Sequence, residues 1–320
     1  MDRRSFIGSI AALGLQGALL KTSSAKTLLE DAAAGDKWRN KKKRDRFDED
    51  LIVFITDLHT NPDGYQPDKL RRVVADILKM APLPKNVIAL GDLAYLTGKP
   101  SEYALLKEII TPIEDAGIHL TMAMGNHDRR ENFAAAFPKL AAESKLSDRM
   151  VFIVETPKAD VIVLDSLQQG DDDTTWITPG ALDEAQLKWL EKTLAGYKKP
   201  VFVSSHHPNA ELKIRGLLAD APTCSGYIYG HNHVWDPGWA KKNYSSYNVV
   251  RTLCLPSTGH WGDIGYAEFH LGEETARCEL HQYEFFFPKP LQPGMQKPQQ
   301  WTFMEEEHKG AACSFSYKKI

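Results

Sequence analysis

From residue 51 onward, short apolar, β-branched runs alternate with longer stretches whose apolar residues recur every three to four positions. Residues 51–56, 86–90, 118–124, 200–205 and 226–229 are the short runs and read as buried strands. Residues 66–80, 101–116, 131–142, 181–194 and 211–218 carry helical periodicity, with Ser101 and Glu102 as a start signal for the second. Residues 150–155 and 161–165 form a further strand pair, and the chain to about residue 287 then alternates like antiparallel strands. Early βαβ alternation followed by strand-rich sequence predicts a two-sheet α/β sandwich. No internal repeat or second composition boundary interrupts it, so 51–287 reads as one domain.

The two ends have other patterns. Arg3-Arg4-Ser5-Phe6-Ile7 precedes an apolar stretch to Leu20, then Lys21 and the small residues Ser23-Ser24-Ala25. Charged, apolar, then small is the order of a signal peptide, so 1–25 is expected to be a cleaved leader. Its apolar core of about 15 residues is short of the ~20 that a spanning helix needs. No stable membrane span is therefore expected after its removal. The adjacent arginines resemble a bacterial twin-arginine signal, which implies an exported, periplasmic protein. Residues 26–50, with Lys41-Lys42-Lys43-Arg44, read as a charged linker. Residues 288–320 carry Pro288, Pro290, Pro293 and Pro298 and read as a wrapping C-terminal extension.

Composition narrows the function classes. A chain of 320 residues, 42% hydrophobic and 25% charged, can build a substantial core. Its formal net charge of −3 gives no bulk attraction to nucleic acid or an anionic membrane, so an anionic substrate would need a local cation. The cysteines Cys224, Cys254, Cys278 and Cys313 match no zinc-knuckle spacing. Buried, unpaired thiols are favoured for them over disulfides.

Candidate chemistry sits where the strands run out. Successive strands end in Asp57-Leu58-His59, Gly91-Asp92, Gly125-Asn126-His127-Asp128, His206-His207-Pro208 and Gly230-His231-Asn232-His233. The carboxyl ends of strands in open α/β sheets are where sites form. In an extended segment, Asp-x-His and His-x-His put alternate side chains on one side, so both reach one centre. Asp57, His59, Asp92, Asn126, His206, His231 and His233 are too many donors for one ion and suit two ions sharing a carboxylate. Mixed nitrogen and oxygen donors favour zinc, manganese or iron over calcium. His127 can carry and deliver a proton near neutral pH, and Asp128 is placed to orient it.

D-x-H, G-D, G-N-H-D, H-x-P and G-H-x-H together resemble the calcineurin-like metallophosphoesterases, over about 51–270. The resemblance is closest to the class III cyclic-nucleotide phosphodiesterase branch. Thr111-Pro112-Ile113-Glu114, the stretch from Arg130 to Pro138, Val163-Leu164-Asp165-Ser166, Leu187 to Leu190 and Pro256-Ser257-Thr258 agree with it. It implies a four-layer αββα sandwich with two mixed β-sheets. Carried over by position, Asp57, His59 and His233 would hold one metal, Asn126, His206 and His231 the second, and Asp92 both. The implied cofactors are two divalent or trivalent ions (Mn, Fe or Zn). The implied reaction is attack of a metal-activated hydroxide on a phosphodiester or phosphomonoester, with His127 as proton donor and Asp128 supporting it. The partner is then a small phosphoester, with no nucleic acid expected.

The chain departs from that branch in one interval. His206 and His231 are only 25 positions apart (231 − 206), shorter than the usual pocket-walling loop, so cyclic-nucleotide specificity is not carried over. Tyr95 gives G-D-x-x-Y as in purple acid phosphatases, but those have D-x-G where His59 stands here. Tyr95 is therefore read as a supporting residue. His207 is read the same way. Asp171-Asp172-Asp173 reads as a solvated loop, and His260-Trp261-Gly262-Asp263 as a pocket edge or a capped turn with a buried tryptophan. A scaffold that has lost catalysis and a nuclease are the alternatives. The intact donor set opposes the first, and the missing extended basic surface opposes the second.

Overall fold

The computed structural model describes residues 46–209, 211–237, 250–286 and 308–318. The expected leader at 1–25, the linker up to residue 45 and most of the C-terminal extension lie outside them. Eleven strands and six helices are named here in chain order, within the described residues: β1 Phe47–Ile55, α1 Gln66–Ile77, β2 Leu83–Leu90, α2 Pro100–Asp115, β3 His119–Ala123, α3 Arg130–Ala136, α4 Pro138–Ala142, β4 Phe152–Val154, β5 Asp160–Val163, α5 Glu184–Gly196, β6 Val201–Ser205, α6 Arg215–Asp220, β7 Cys224–Tyr229, β8 Thr252–Cys254, β9 Gly262–Leu271, β10 Thr275–Phe286 and β11 Ala312–Ser316.

Two mixed sheets result. The first has the order β11-β10-β9-β1-β2-β3 and the second β4-β5-β6-β7-β8. β1, β2 and β3 are parallel, and β9, β10 and β11 extend that sheet antiparallel. β5 to β8 are parallel, with β4 antiparallel at the edge. The period of two along each strand divides the core. Val161, Val163, Phe202, Ile228 and Leu253 of the second sheet join the large cluster that contains the first sheet. Their neighbours Ile162, Val201, Val203 and Tyr227 join a second cluster with Leu190 and Leu194 of α5 and Leu218 of α6. On the first sheet the large cluster takes in Leu70, Val73 and Ile77 of α1 and Leu106, Ile109 and Ile113 of α2. Helices, two sheets and helices form the predicted sandwich.

Four elements differ from expectation, the first being the helix expected over 211–218, which runs over Arg215–Asp220 because Lys213 has a φ of 56°. β1 begins at Phe47, inside the expected linker, because Phe47 and Asp48 pair with Leu83 and Pro84 of β2. The helix expected over 131–142 is two short helices, since Pro138 cannot continue α3 and starts α4 instead. The extension supplies β11, which pairs with β10 and brings Phe315 into edge contact with Phe202 and Phe269. All four cysteines are buried, and none is disulfide-bonded.

Candidate metal centre

Every candidate donor follows a strand end, and the backbone there is unusual. Five of the six described non-glycine residues with positive φ are Asp57 (52°), His59 (44°), Asp92 (46°), His231 (69°) and His233 (58°). The left-handed region costs an L-residue roughly 1–2 kcal/mol. Such strain persists only where surrounding bonds hold it, and it gathers at functional sites. Here the Asp57 N–H donates to Gly91 O (3.1 Å) and the His59 N–H to Asp92 O (2.8 Å). The His231 N–H donates to the Asp57 carboxylate at 3.1–3.2 Å. Gly91 is required at φ +82°, where a Cβ would lie 2.6 Å from Gly125 N and 2.7 Å from His206 Cβ. At Gly230 a Cβ would lie 2.1 Å from Thr56 Oγ1 and 2.8 Å from Asp57 Oδ2. The loops therefore close on one point.

Seven predicted donors meet there. In one cluster, donor atoms of Asp57, His59, Asp92 and His233 all lie within 4.8 Å of one another. His233 Nε2 is 3.1 Å from Asp57 Oδ1, and His59 Nε2 is 3.4 Å from Asp92 Oδ2. Beside it, His206 Nε2 lies 3.2 Å from the same Asp92 Oδ2, 3.2 Å from His231 Nδ1 and 3.3 Å from Asn126 Oδ1. One carboxylate oxygen thus belongs to both groups.

The imidazoles are aimed by backbone carbonyls. A carbonyl can only accept, so the Nδ1–H groups of His59, His206 and His233 donate to Tyr95 O (3.2 Å), Leu90 O (2.8 Å) and Trp261 O (3.1 Å). This is the support that metal-ligating histidines typically have. Tyr95 contributes through its backbone, as a supporting residue. Burial, with the neighbouring His233 and His127, outweighs the pull of Asp92 and holds His59 down to about 3. His59 is therefore neutral, and its buried Nε2 has no hydrogen-bond partner. An inward lone pair without a proton is what a cation takes.

Charge makes the same point at His206. Burial opposes its protonation, but Asp92 and Asp57 overcome that and raise it to about 9. Asp92 itself is pushed up by burial and, more strongly, pulled well below the usual carboxylate range by His206, His127 and His59. Two buried carboxylates thus demand positive charge at His206 Nε2. Metal–donor bonds of ~2.0–2.1 Å would place tetrahedral donors ~3.3 Å apart, close to the spacings about Nε2. The residues present fit metal ions.

His207 is also near, but both of its ring nitrogens are committed elsewhere. Nε2–H donates to Thr178 O (2.9 Å), which leaves Nδ1 to accept from Ser166 Oγ (2.8 Å). Burial and the adjacent His206 and His231 hold it neutral, down to about 2. It braces the site from behind, as expected.

His127 and Asp128 do not form the expected pair. The His127 Nδ1–H donates to Leu96 O (2.8 Å), and its ring lies 5.1 Å from that of His59. The Asp128 carboxylate instead accepts the N–H groups of Leu93 (3.2 Å), Ala94 (3.0 Å) and Gly125 (2.9 Å) and the Tyr103 hydroxyl (3.0 Å). Four donors leave it none for the histidine. Asp128 ties the loop after β2 to the loop after β3, and the notion that it orients His127 directly is corrected. Burial and the charge of Asp92, partly offset by those N–H groups, raise it to about 6.

The other motifs are braces. Arg130 makes a two-pronged ion pair with Asp165 (2.7 and 2.8 Å), joining α3 to the segment after β5. Ser257 Oγ donates to Asp57 O (3.1 Å), and the Thr258 N–H to Thr56 O (2.8 Å). His260 packs its ring 4.2 Å from that of His59, so it edges the site. Asp263, the last residue of the His260-Trp261-Gly262-Asp263 stretch, is fully buried behind His233. It accepts from Trp235 N (2.7 Å), Gln282 Nε2 (2.6 Å) and His308 Nδ1 (2.8 Å), while its own N–H donates to His233 O (2.9 Å). Only the pairing of distant strands reveals that chain of bonds.

Strained strand-end loops closing on one shared carboxylate, at the edge of two mixed sheets, define a candidate two-metal centre. The calcineurin-like phosphoesterase family model matches residues 51–235. A "probable cyclic nucleotide phosphodiesterase" of Rhodopseudomonas palustris is 30% identical over 272 residues, covering 75% of this chain and 94% of that one. The chain belongs to the calcineurin-like phosphoesterase family. The crystal structure of a dimetal phosphatase from Danio rerio shares the fold with a TM-score of 0.56 at 15% identity, over 72% of this chain and 96% of that one.

Proposed function

We propose that the chain is an exported, dinuclear-metal-dependent phosphodiesterase. The observation that carries it is Asp92 Oδ2, within 3.4 Å of His59 Nε2 in one cluster and 3.2 Å of His206 Nε2 in the other. Asp57, His59 and His233 would hold one ion, Asn126, His206 and His231 the other, and Asp92 both. Such ions supply Lewis-acid charge against phosphoryl oxygens and lower the pKa of water.

The chain's own groups do the rest. Strained backbone and carbonyl-anchored imidazoles fix the donors before substrate arrives, so little reorganisation is left for the reaction. His127 commits Nδ1–H to Leu96 O, so Nε2 is the nitrogen that can exchange a proton with the leaving oxygen. Asp128 holds the two loops that carry Asp92 and His127 at fixed separation. The complete donor set and the free Nε2 of His127 favour catalysis over a scaffold role. The relative from Rhodopseudomonas palustris supports a diester substrate.

The test compares bis(p-nitrophenyl) phosphate with p-nitrophenyl phosphate on the manganese-loaded full chain, with Asn126→Ala as control. We expect diester preference, two metals per chain, and loss of turnover of about 10²-fold or more with one metal in the variant. A monoester preference would convert the reading to a phosphatase, and no turnover with two metals bound would sink it. Export rests on Arg3-Arg4 and the apolar run to Leu20. Replacing both arginines by lysine should leave the protein inside the bacterial cell, and unchanged secretion would refute a twin-arginine route.

A further inference from the structure

Among the described residues, the large apolar side chains that stay exposed are Leu96 (38%), Trp176 (43%) and Ile177 (36%). Scattered, they would need no account. Gathered at one place, they do. Leu96 provides the carbonyl that holds His127. The Trp176 ring lies 5.4 Å from the His127 ring, whose other neighbour is His59 at 5.1 Å. His59, His127 and Trp176 therefore run outward from the metal centre in that order.

Trp176 is held in this exposed position. It bridges to Gln169, closing a short hairpin whose tip is Asp171-Asp172-Asp173. Arg130 anchors the first arm through Gln169 Oε1 (3.0 Å) and Leu167 O (2.7 Å). The Arg129 guanidinium reaches Asp172 O at the tip. His207 anchors the second arm through Thr178 O (2.9 Å). The same residues that follow or brace the metal loops thus fix the hairpin. No lysine or arginine lies within 167–180, and the two arginines that touch the hairpin are each paired with a carboxylate of their own, Arg129 with Glu131 (2.9 Å) and Arg130 with Asp165 (2.7 Å).

We propose that Trp176 and Leu96 form the subsite for the leaving alcohol, and that this alcohol presents an apolar face and no negative charge. This rests on the phosphodiesterase reading above. His127 faces the leaving oxygen, so the group attached to that oxygen lies against Trp176. An aromatic platform rewards an apolar or cationic group, and the acidic hairpin repels an anionic one. Polynucleotides, with a phosphate on each neighbouring residue, are disfavoured on the same ground.

The test has two arms. First, the indole N–H signal that Trp176→Phe removes is followed by NMR while phenol or 4-hydroxybenzoate is added to the full chain. The signal should shift with phenol and stay with the carboxylate. Second, KM for methyl p-nitrophenyl phosphate should rise roughly tenfold in Trp176→Ala, kcat falling less, and Trp176→Phe should recover most of it. No shift, equal shifts with both alcohols, or an unchanged KM would overturn the subsite. If no form turns over any diester, the phosphodiesterase reading falls, and the indole titration by itself decides the subsite.

Discussion

The two donor groups share Asp92 but balance charge differently. Around His59 two carboxylates, Asp57 and Asp92, face an imidazole that burial keeps neutral, down to about 3. Around His206 the shared Asp92 is the one carboxylate assigned as a donor, joined by an amide and two imidazoles, and there Asp92 at 3.2 Å and the more distant Asp57 at 4.0 Å overcome burial and raise the imidazole to about 9. The difference teaches that Asp92 is the hinge of the whole arrangement. The first group keeps a carboxylate if Asp92 is lost. The second keeps none among its donors, with Asp57 Oδ1 standing off at 4.0 Å from His206 Nε2, and its affinity for a cation then rests on neutral donors.

The largest effect should therefore come from Asp92→Ala. We expect turnover to fall by about 10³-fold or more, beyond the loss in Asn126→Ala, because both groups lose an oxygen. Metal content should drop toward one or fewer per chain, read by atomic emission on the purified protein. Two metals retained in Asp92→Ala would dissolve the idea of a shared oxygen.

Next comes the loop clamp that both groups depend on. Tyr103 is buried, its hydroxyl donating to Asp128 Oδ1 (3.0 Å) and accepting the Arg129 N–H (2.8 Å). Tyr103→Phe leaves both partners buried and short of a bond, which should cost about 1–3 kcal/mol of stability. Asp128→Ala should cost more, since four donors lose their acceptor. The measurement is denaturant unfolding, paired with the pH–rate profile. If Asp128 positions loops, both variants lower stability and leave the profile's shape unchanged. A profile that changes shape in Tyr103→Phe without a stability loss would restore Asp128 to a role in proton transfer.

How far the sequence reveals these parts follows from distance along the chain. The strand ends were legible because each motif is local: an apolar run, a turn residue, then donors at alternate positions. Asp57, His59, Asp92, Asn126, His206, His231 and His233 were all named from such fragments, and the structure brings all seven together. The two-sheet sandwich was legible for the same reason, since alternation and periodicity are local signals. Asp128 was misread because proximity in sequence pointed to His127, whereas three of its partners lie 25 to 35 residues away. Trp176 gave no signal, because an exposed tryptophan and a core tryptophan look alike in one sequence. The break at Pro138 is legible as a proline inside a helical pattern, since a proline there ends one helix and can start the next. β11 was hidden by the proline-rich stretch before it.

The smallest effect should come from the far end of the chain, where His308 reaches the His59 side of the site. His308 donates to Asp263, which also accepts from Trp235 N and gives its own N–H to His233 O. That chain of bonds ends on His233, a donor of the first group, whereas the loop of Asn126 is held by Asp128 through the Gly125 N–H. His308→Ala removes one hydrogen bond to a buried carboxylate, worth about 1–2 kcal/mol of stability. Bonds one step beyond a ligand typically cost 10–100-fold in metal affinity when lost, and His308 is further back still, so a few-fold loss is expected. The expected result is selective: a chelator titration of His308→Ala should release one ion earlier and leave the other where it was. Equal weakening of both ions would mean that the C-terminal segment supports the sandwich as a whole. Early release of the ion that Asn126→Ala also loses would place the brace on the wrong group.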